Sequence, residues 1–562
     1  MTVGESDIDR LAQDYWERRM VNEPVFATAL GDRRYDDRLP DITPKGRQRV
    51  VGEYEELLRK AEGTTVDGES EKLVRTALLV DLKSVIDYVS CGLDDWTVDP
   101  LRGPQIDLMN IESIQSVRSS EEGTAMVRRW KAMGGYIDDH IANLRGGLAE
   151  GKVSAKANVE KVIDELLELV AKPDAQWALL RPLEVSHDDW TETQRADFRD
   201  GLTEAISGSV RPAMVRYLRF LQMEVQPRAR PDTKPGIMHV EGGADAYRRL
   251  IHVHTSLNLT PEELHSTGLR EVARINSEME VLGEKALGTR DRQKVLQTLR
   301  SDSSLYFKDG EEVFQKAEEA LARAKAAIPR WFGRLPKTDC EVARMLEHEQ
   351  KHSTIAYYLP PAQDGSRPGR YYINTSAPET RPRYEAEALA YHESIPGHHL
   401  QIAVAQELTG FPEFMKNSGV TAFIEGWGLY SERLADEMGL YSSDLDRIGI
   451  LSYDSWRACR LVVDTGMHAM GWTRDQAIDF MLQNSALAKN NIVNEVDRYI
   501  SWPGQALAYK TGQLELLRLR NEAQARLGSR FDIMKFHDAV LGSGAIPLEA
   551  LRQKVSEYMA VA

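Results

Sequence analysis

Residues 388–405 read Ala-Leu-Ala-Tyr-His-Glu-Ser-Ile-Pro-Gly-His-His-Leu-Gln-Ile-Ala-Val-Ala, and they decide how the chain folds around its chemistry. The flanks are apolar at helical spacing, which predicts a helix over roughly 383–408 that is buried rather than solvated. Pro396 stands four residues after His392, where its ring clashes with the His392 carbonyl and its missing N–H breaks a helical bond. Gly397 follows and takes backbone conformations closed to other residues. The helix is therefore expected to break at Pro396-Gly397.

That break matters because His392, His398 and His399 are three of only 13 histidines in the chain. Two imidazoles at i and i+4 of a helix lie about 6 Å apart along the axis and suit one metal ion. On an unbroken helix His399 would share the face of His392 but sit about 10 Å further on, and His398 would point off that face. A break shortens the path, and His398 needs the smaller distortion. The reading assigns His392 and His398 as metal ligands, with His399 as the alternate or a substrate-facing neighbour.

A literal zinc pattern competes: His348-Glu349-Gln350-Lys351-His352. A metal-bearing helix must sit in a dry, shaped wall. Here Glu347, Glu349 and Lys351 make the surroundings charged, and the chain runs on into the strand-like Ser353–Leu359. This match reads as a solvated helix end.

A third ligand, leaving one open coordination position, is expected from another helix. Phe423-Ile424-Glu425-Gly426-Trp427-Gly428-Leu429-Tyr430-Ser431-Glu432 offers Glu425, with Glu432 on the same face. Gly426 and Gly428 each cost that helix about 1 kcal/mol relative to Ala, which predicts a closely packed neighbouring backbone. Glu393, directly after the first ligand, is placed as the general base. In the stretch 502–510, Gln505 and Tyr509 are i and i+4 on a helix that Pro503 can start, and both are candidates to stabilise an oxyanion. His468 is a weaker donor candidate, and Arg457 and Arg460 are candidates to clamp a substrate carboxylate. A substrate backbone is expected along Tyr371-Tyr372-Ile373-Asn374 as an added strand, which brings Asn374 to the substrate.

Around this centre the chain reads as mainly helix. Ile8, Leu11, Tyr15 and Trp16 share one face with Ser6 or Asp7 as N-cap. Helical patterns cover about 71–89, 260–282 (Thr260 as N-cap and Pro261 first in the helix), 311–327, 420–437, 474–485 and 504–526. The strand-like pieces 353–359 and 370–375 form the one small β-element. Residues 225–235, with three prolines, read as a connection. They separate an N-terminal helical region, 1–225, from a catalytic region, 226–562, which together form one cleft or two units.

Composition bounds the function. The 562 residues are 42% apolar and 28% charged, with a mean hydropathy of −0.44, which excludes a disordered or collagen-like chain. Asp plus Glu number 87 against 71 Lys plus Arg, a net charge of −16, so a nucleic-acid partner is not expected. No run of 18 apolar residues is present and the first residues lack the pattern of a signal peptide, so no membrane partner is expected. Cys91, Cys340 and Cys459 form neither a metal spacing nor a disulfide framework, and a cytoplasmic location is expected. No Walker loop, G-x-S-x-G elbow or G-x-G-x-x-G is present.

The runs YHESIPGHHLQ (391–401), EGWGLYSE (425–432) and RYISWPGQALAYKTG (498–512) resemble the bacterial family called domain of unknown function 885. DGSRPGRYYINT (364–375) and ALGDRRYDDRLPD (29–41) extend the resemblance over nearly the whole chain. That family is similar to the zinc peptidases of the glutamate-ligand class. The resemblance implies a zincin-like, mainly helical architecture with a deep cleft. The piece at Glu425 is similar to the E-G-F-A-x-Y pattern of aminopeptidase N, whose Glu binds zinc, which implies Glu425 as the third ligand. A downstream Tyr as oxyanion donor, here Tyr509, is implied in the same way. The expected activity is hydrolysis of peptide or small amide bonds with one zinc ion. The contrasting reading is a metal-free helical binding protein.

Overall fold

The computed structural model describes residues 6–345, 350, 354–362, 367–417 and 419–561. Among the described residues the chain is mainly helical, at 73%, with one three-stranded sheet. Local signals set the helix starts where the sequence places them. Ser6 caps the helix Asp7–Asn22 in a reciprocal box with Asp9. Thr260 does the same with Glu263 for the helix Pro261–Leu287. The patterns at 71–89, 311–327, 420–437 and 474–485 become helices Glu69–Ser90, Gly310–Ala327, Thr421–Glu437 and Arg474–Asn484.

The β-element has one strand more than expected. Strands β1 (Cys340–Arg344), β2 (Ala356–Leu359) and β3 (Gly369–Ile373) form a sheet in the order β1-β3-β2. β3 is central, parallel to β1 and antiparallel to β2. Both of its edges are thus hydrogen-bonded already, and a substrate cannot add to it as a strand; the expected docking along 371–374 is corrected on this ground.

Apolar burial gathers into four clusters. One lies within residues 98–225, from Trp130, Ile137, Val162, Leu202 and Tyr217 among others. The largest joins the first helices (Ile8, Tyr15, Leu78) to the sheet (Tyr371, Ile373) and to Tyr391, Trp427, Leu516 and Val555. A third packs the helix Pro261–Leu287 along the helix Asp444–Ala469. A fourth, smaller cluster joins Trp96 to Ile237, Leu250, Leu461 and Leu507. The helices 386–393, 421–437 and 444–469 meet where these cores adjoin, and the His/Glu cluster stands there.

Candidate metal centre

The expected break is present. One helix ends at Glu393 and the next begins at His398, with the turn 394–397 between them. Ser394 accepts from His399 N–H at its carbonyl (3.0 Å), and Gly397 from Gln401 N–H (3.2 Å), so two of the turn's carbonyls are satisfied without helical continuity. Gly397 is required: a Cβ there would overlap the carbonyls of His392 and Tyr391. The break turns the His398 ring onto His392, with ring centroids 4.6 Å apart and planes at 82°.

The helix Thr421–Glu437 holds this arrangement with five of its residues. Trp427 Nε1 (2.9 Å) and Ser431 Oγ (3.3 Å) both donate to the Pro396 carbonyl and pin the turn. Gly428 faces the imidazole of His392, where a Cβ would stand 2.5 Å from Cε1. Glu432, 1% exposed, accepts from His392 Nδ1 at 2.8 Å. Glu425 presents one oxygen, Oε2, to both rings, 3.5 Å from His392 Nε2 and 3.7 Å from His398 Nε2. Gly426 serves a different neighbour: a Cβ there would stand 2.5 Å from the backbone of Gly512. Of the two glycines, one admits a backbone and the other admits the histidine.

The two separations from Glu425 Oε2 are close to those within a metal's ligand set. Donors bound at 2.0–2.2 Å in a tetrahedral set lie about 3.3–3.6 Å from one another. A ligand atom of Glu393 joins those of His392 and His398 within a 4.8 Å group. The far nitrogen of His392 has the carboxylate partner that orients metal-binding imidazoles.

The electrostatics favour a cation at the same point. Burial opposes charge on His392, but Glu425 and Glu432 outweigh it and raise its pKa to about 9. Burial likewise opposes charge on Glu425, yet the two imidazoles hold its pKa down to about 2. Burial and the neighbouring charges of His392 and Arg457 lower His398 to about 4, so it is neutral at pH 7. Burial raises Glu393 to about 7, with Glu425 and Glu432 adding to the rise against His392 and Arg457. A metal ion taking up this site displaces the His392 proton.

Several expected residues stand elsewhere. His399 is committed at both nitrogens, to Tyr358 Oη (2.9 Å) and the Thr338 carbonyl (3.1 Å), so it is not the alternate ligand. Asn374 donates to the carbonyls of Gln350 and Thr354 and accepts from Ser376, so its amide is taken up within the protein. His468, fully buried, accepts from Ile237 N–H and donates to the Tyr499 carbonyl; it is a satisfied core histidine. Gln505 and Tyr509 do not lie on one α-helix: Gly504 at φ +85° and a 3₁₀ turn Gln505–Leu507 precede the helix Ala508–Leu527. Gln505 accepts from Arg498 (2.8 Å) and lines a cavity of about 780 Å³ that none of His392, Glu393, His398 and Glu425 reaches. The competing motif, except Gln350, lies outside the described residues.

Sequence reasoning missed a run of ring–guanidinium contacts beside Tyr509. Its ring lies 4.3 Å from the Arg460 guanidinium, Arg460 and Arg457 lie 4.4 and 4.1 Å over Trp456, and Arg457 lies 4.5 Å over Tyr453. Arg457 in turn acts electrostatically on Glu393 and Glu425. The alternation of Tyr453, Trp456, Arg457 and Arg460 on one helix was the available signal. Glu385, raised to about 7 by burial while accepting from Ser452 Oγ (2.6 Å), is a further missed carboxyl.

The family model described as "Bacterial protein of unknown function (DUF885)" matches residues 24–555. The chain belongs to this family. The crystal structure of a "putative lipoprotein" from Colwellia psychrerythraea is similar at 26% identity and a TM-score of 0.91, over 99% of this chain and 100% of that one. A "putative lipoprotein of unknown function" from Shewanella oneidensis shares the fold at 17% identity and a TM-score of 0.76, over 98% and 99% of the two chains. No curated protein matches this chain.

Proposed function

We propose that this chain is a zinc-dependent hydrolase of zincin-like design, a metallopeptidase acting on peptide or small amide bonds. The observation that carries this reading is the convergence of His392 Nε2, His398 Nε2 and Glu425 Oε2 at ligand spacing, with Glu432 behind His392 and Glu393 beside it. His392, His398 and Glu425 would hold one divalent ion, and two imidazoles with one carboxylate suit zinc. Such an ion, when bound, polarises a carbonyl and lowers the pKa of water.

The chain's own groups supply the rest. Glu393, only partly buried, takes a proton from the attacking water at its carboxylate and returns it to the leaving amine as the C–N bond breaks. Tyr509 makes no side-chain hydrogen bond among the described residues, and we assign its hydroxyl to the developing oxyanion. Glu425 keeps 22% of its side chain exposed, which gives a substrate its approach.

For location, the three free cysteines favour a reducing compartment, and we propose the cytoplasm. The descriptions of the two structural neighbours point to the cell envelope instead, and cell fractionation decides between them.

The test of the activity is Glu393→Gln, which preserves size but cannot accept the proton. Against a peptide library it should lose hydrolysis by at least about two orders of magnitude while keeping its metal. Cleavage at the wild-type rate would remove the hydrolase reading.

A further inference from the structure

Arg457 is 6% exposed, and its guanidinium lies 4.5 Å from the ring centre of Tyr453 and 4.1 Å from that of Trp456. Its Nε and Nη1 are buried with no hydrogen-bond partner, and it forms no ion pair among the described residues. Its neighbours behave differently. Arg460, one turn on, donates to Tyr499 (2.9 Å) and pairs with Glu495 (2.9 Å). Arg433 pairs with Asp454 and Glu278.

A guanidinium buried without a paired anion is strongly unfavourable unless nearby charge or a ligand compensates it. Arg457 acts at a distance on Glu385, Glu393 and Glu425, but none of them is within ion-pair range. The hydroxyl of Tyr371, fully buried on β3 and electrostatically linked to Glu393, is a second donor with no acceptor. Around Glu393 the protein thus supplies donors whose acceptors it does not itself provide. The guanidinium is buried against two aromatic rings before any ligand arrives, and its planar fork of donors matches a carboxylate.

We propose that Arg457 receives a carboxylate of the substrate, so that the site takes peptides or small amides bearing a free carboxylate close to the bond cleaved. The identity of that ligand as a substrate rests on the hydrolase reading; its binding to Arg457 does not.

The test is calorimetric titration of the full chain with three probes: trialanine, trialanine amide, and alanyl-aspartyl-alanine amide. Each is run on chelator-treated protein and on protein supplied with zinc. At least one acid should bind ten-fold or more tighter than trialanine amide, which lacks any carboxylate. Which acid wins tells a C-terminal from a side-chain carboxylate. Arg457→Gln should abolish the preference, and Arg457→Lys should retain part of it. Equal affinities, no binding of any probe up to about 10 mM, or a preference that persists in Arg457→Gln would overturn the proposal. Should Arg457→Gln not fold, the acid-to-amide comparison on wild type decides alone. Zinc uptake by the same preparation reports on the hydrolase reading separately. Zinc bound without an acid preference overturns the role of Arg457, whereas an acid preference without zinc uptake supports that role and removes the hydrolase.

Discussion

Replacing Gly428 with Ala adds one methyl group to the wall on which the His392 ring rests. Its Cβ would stand 2.5 Å from Cε1 and 2.8 Å from each ring nitrogen. Ordinary carbon contacts begin near about 3.5 Å, so the imidazole must retreat by about 1 Å. That retreat breaks the 2.8 Å bond from Nδ1 to Glu432 and moves Nε2 off its line to Glu425. Helix propensity alone favours Ala by about 1 kcal/mol. Against it stand about 1–3 kcal/mol of overpacking and about 1.5–3 kcal/mol for the lost bond to a charged group. The net loss is between about 1.5 and 5 kcal/mol, read by chemical denaturation. Zinc affinity, read by competition with a chromophoric chelator, should fall about 10- to 100-fold. Gly426→Ala is the control: its Cβ meets Gly512 backbone, so it should destabilise the fold yet leave the zinc affinity of the folded fraction unchanged. A Gly428→Ala protein that is more stable than wild type and binds zinc equally well would refute the reasoning.

Two further outcomes follow from the same geometry. Glu432→Ala leaves His392 Nδ1 without its acceptor and should weaken zinc binding about 10- to 100-fold, while Glu432→Gln keeps an acceptor oxygen and should lose less, both read by the same chelator competition. Asp454, 1% exposed, pairs with Lys510, Arg433 and Arg274, and these pairings outweigh burial and hold its pKa far below the usual carboxylate range. Asp454→Asn should cost about 3–5 kcal/mol. Because the unfolded chain takes up a proton that folded Asp454 refuses, wild-type stability should fall as pH drops below about 4, and denaturation curves of the variant should lack that part of the slope.

Much of this was legible because the deciding features are local. Pro396 and Gly397 break a helix by covalent geometry alone, so the interruption and the approach of the His398 ring to His392 could be read from spacing. The helix starts at Ser6 and Thr260 were legible for the same reason. What escaped depends on contacts between distant segments. Gly426 and Gly428 carry the same local penalty, but only the fold shows that one faces Gly512 and the other His392. β1 was missed because its alternation is weak and its partner β3 lies 25 residues beyond it in sequence. Gln505 and Tyr509 looked like neighbours on one α-helix, but Gln505 falls in a 3₁₀ turn and only Tyr509 in the α-helix that follows. Arg457 could not be told from Arg460 in sequence; the difference is Glu495, which reaches one and not the other.

The central claim is that His392, His398 and Glu425 hold one divalent ion. Its most direct test is the metal content, by mass spectrometry of the purified chain, of protein prepared without chelator and then incubated with zinc. Wild type should carry about one ion per chain, His392→Ala and Glu425→Ala should carry none, and His348→Ala should match wild type. A wild-type chain that takes up no metal, or one whose metal is lost in His348→Ala and kept in His392→Ala, would contradict the account.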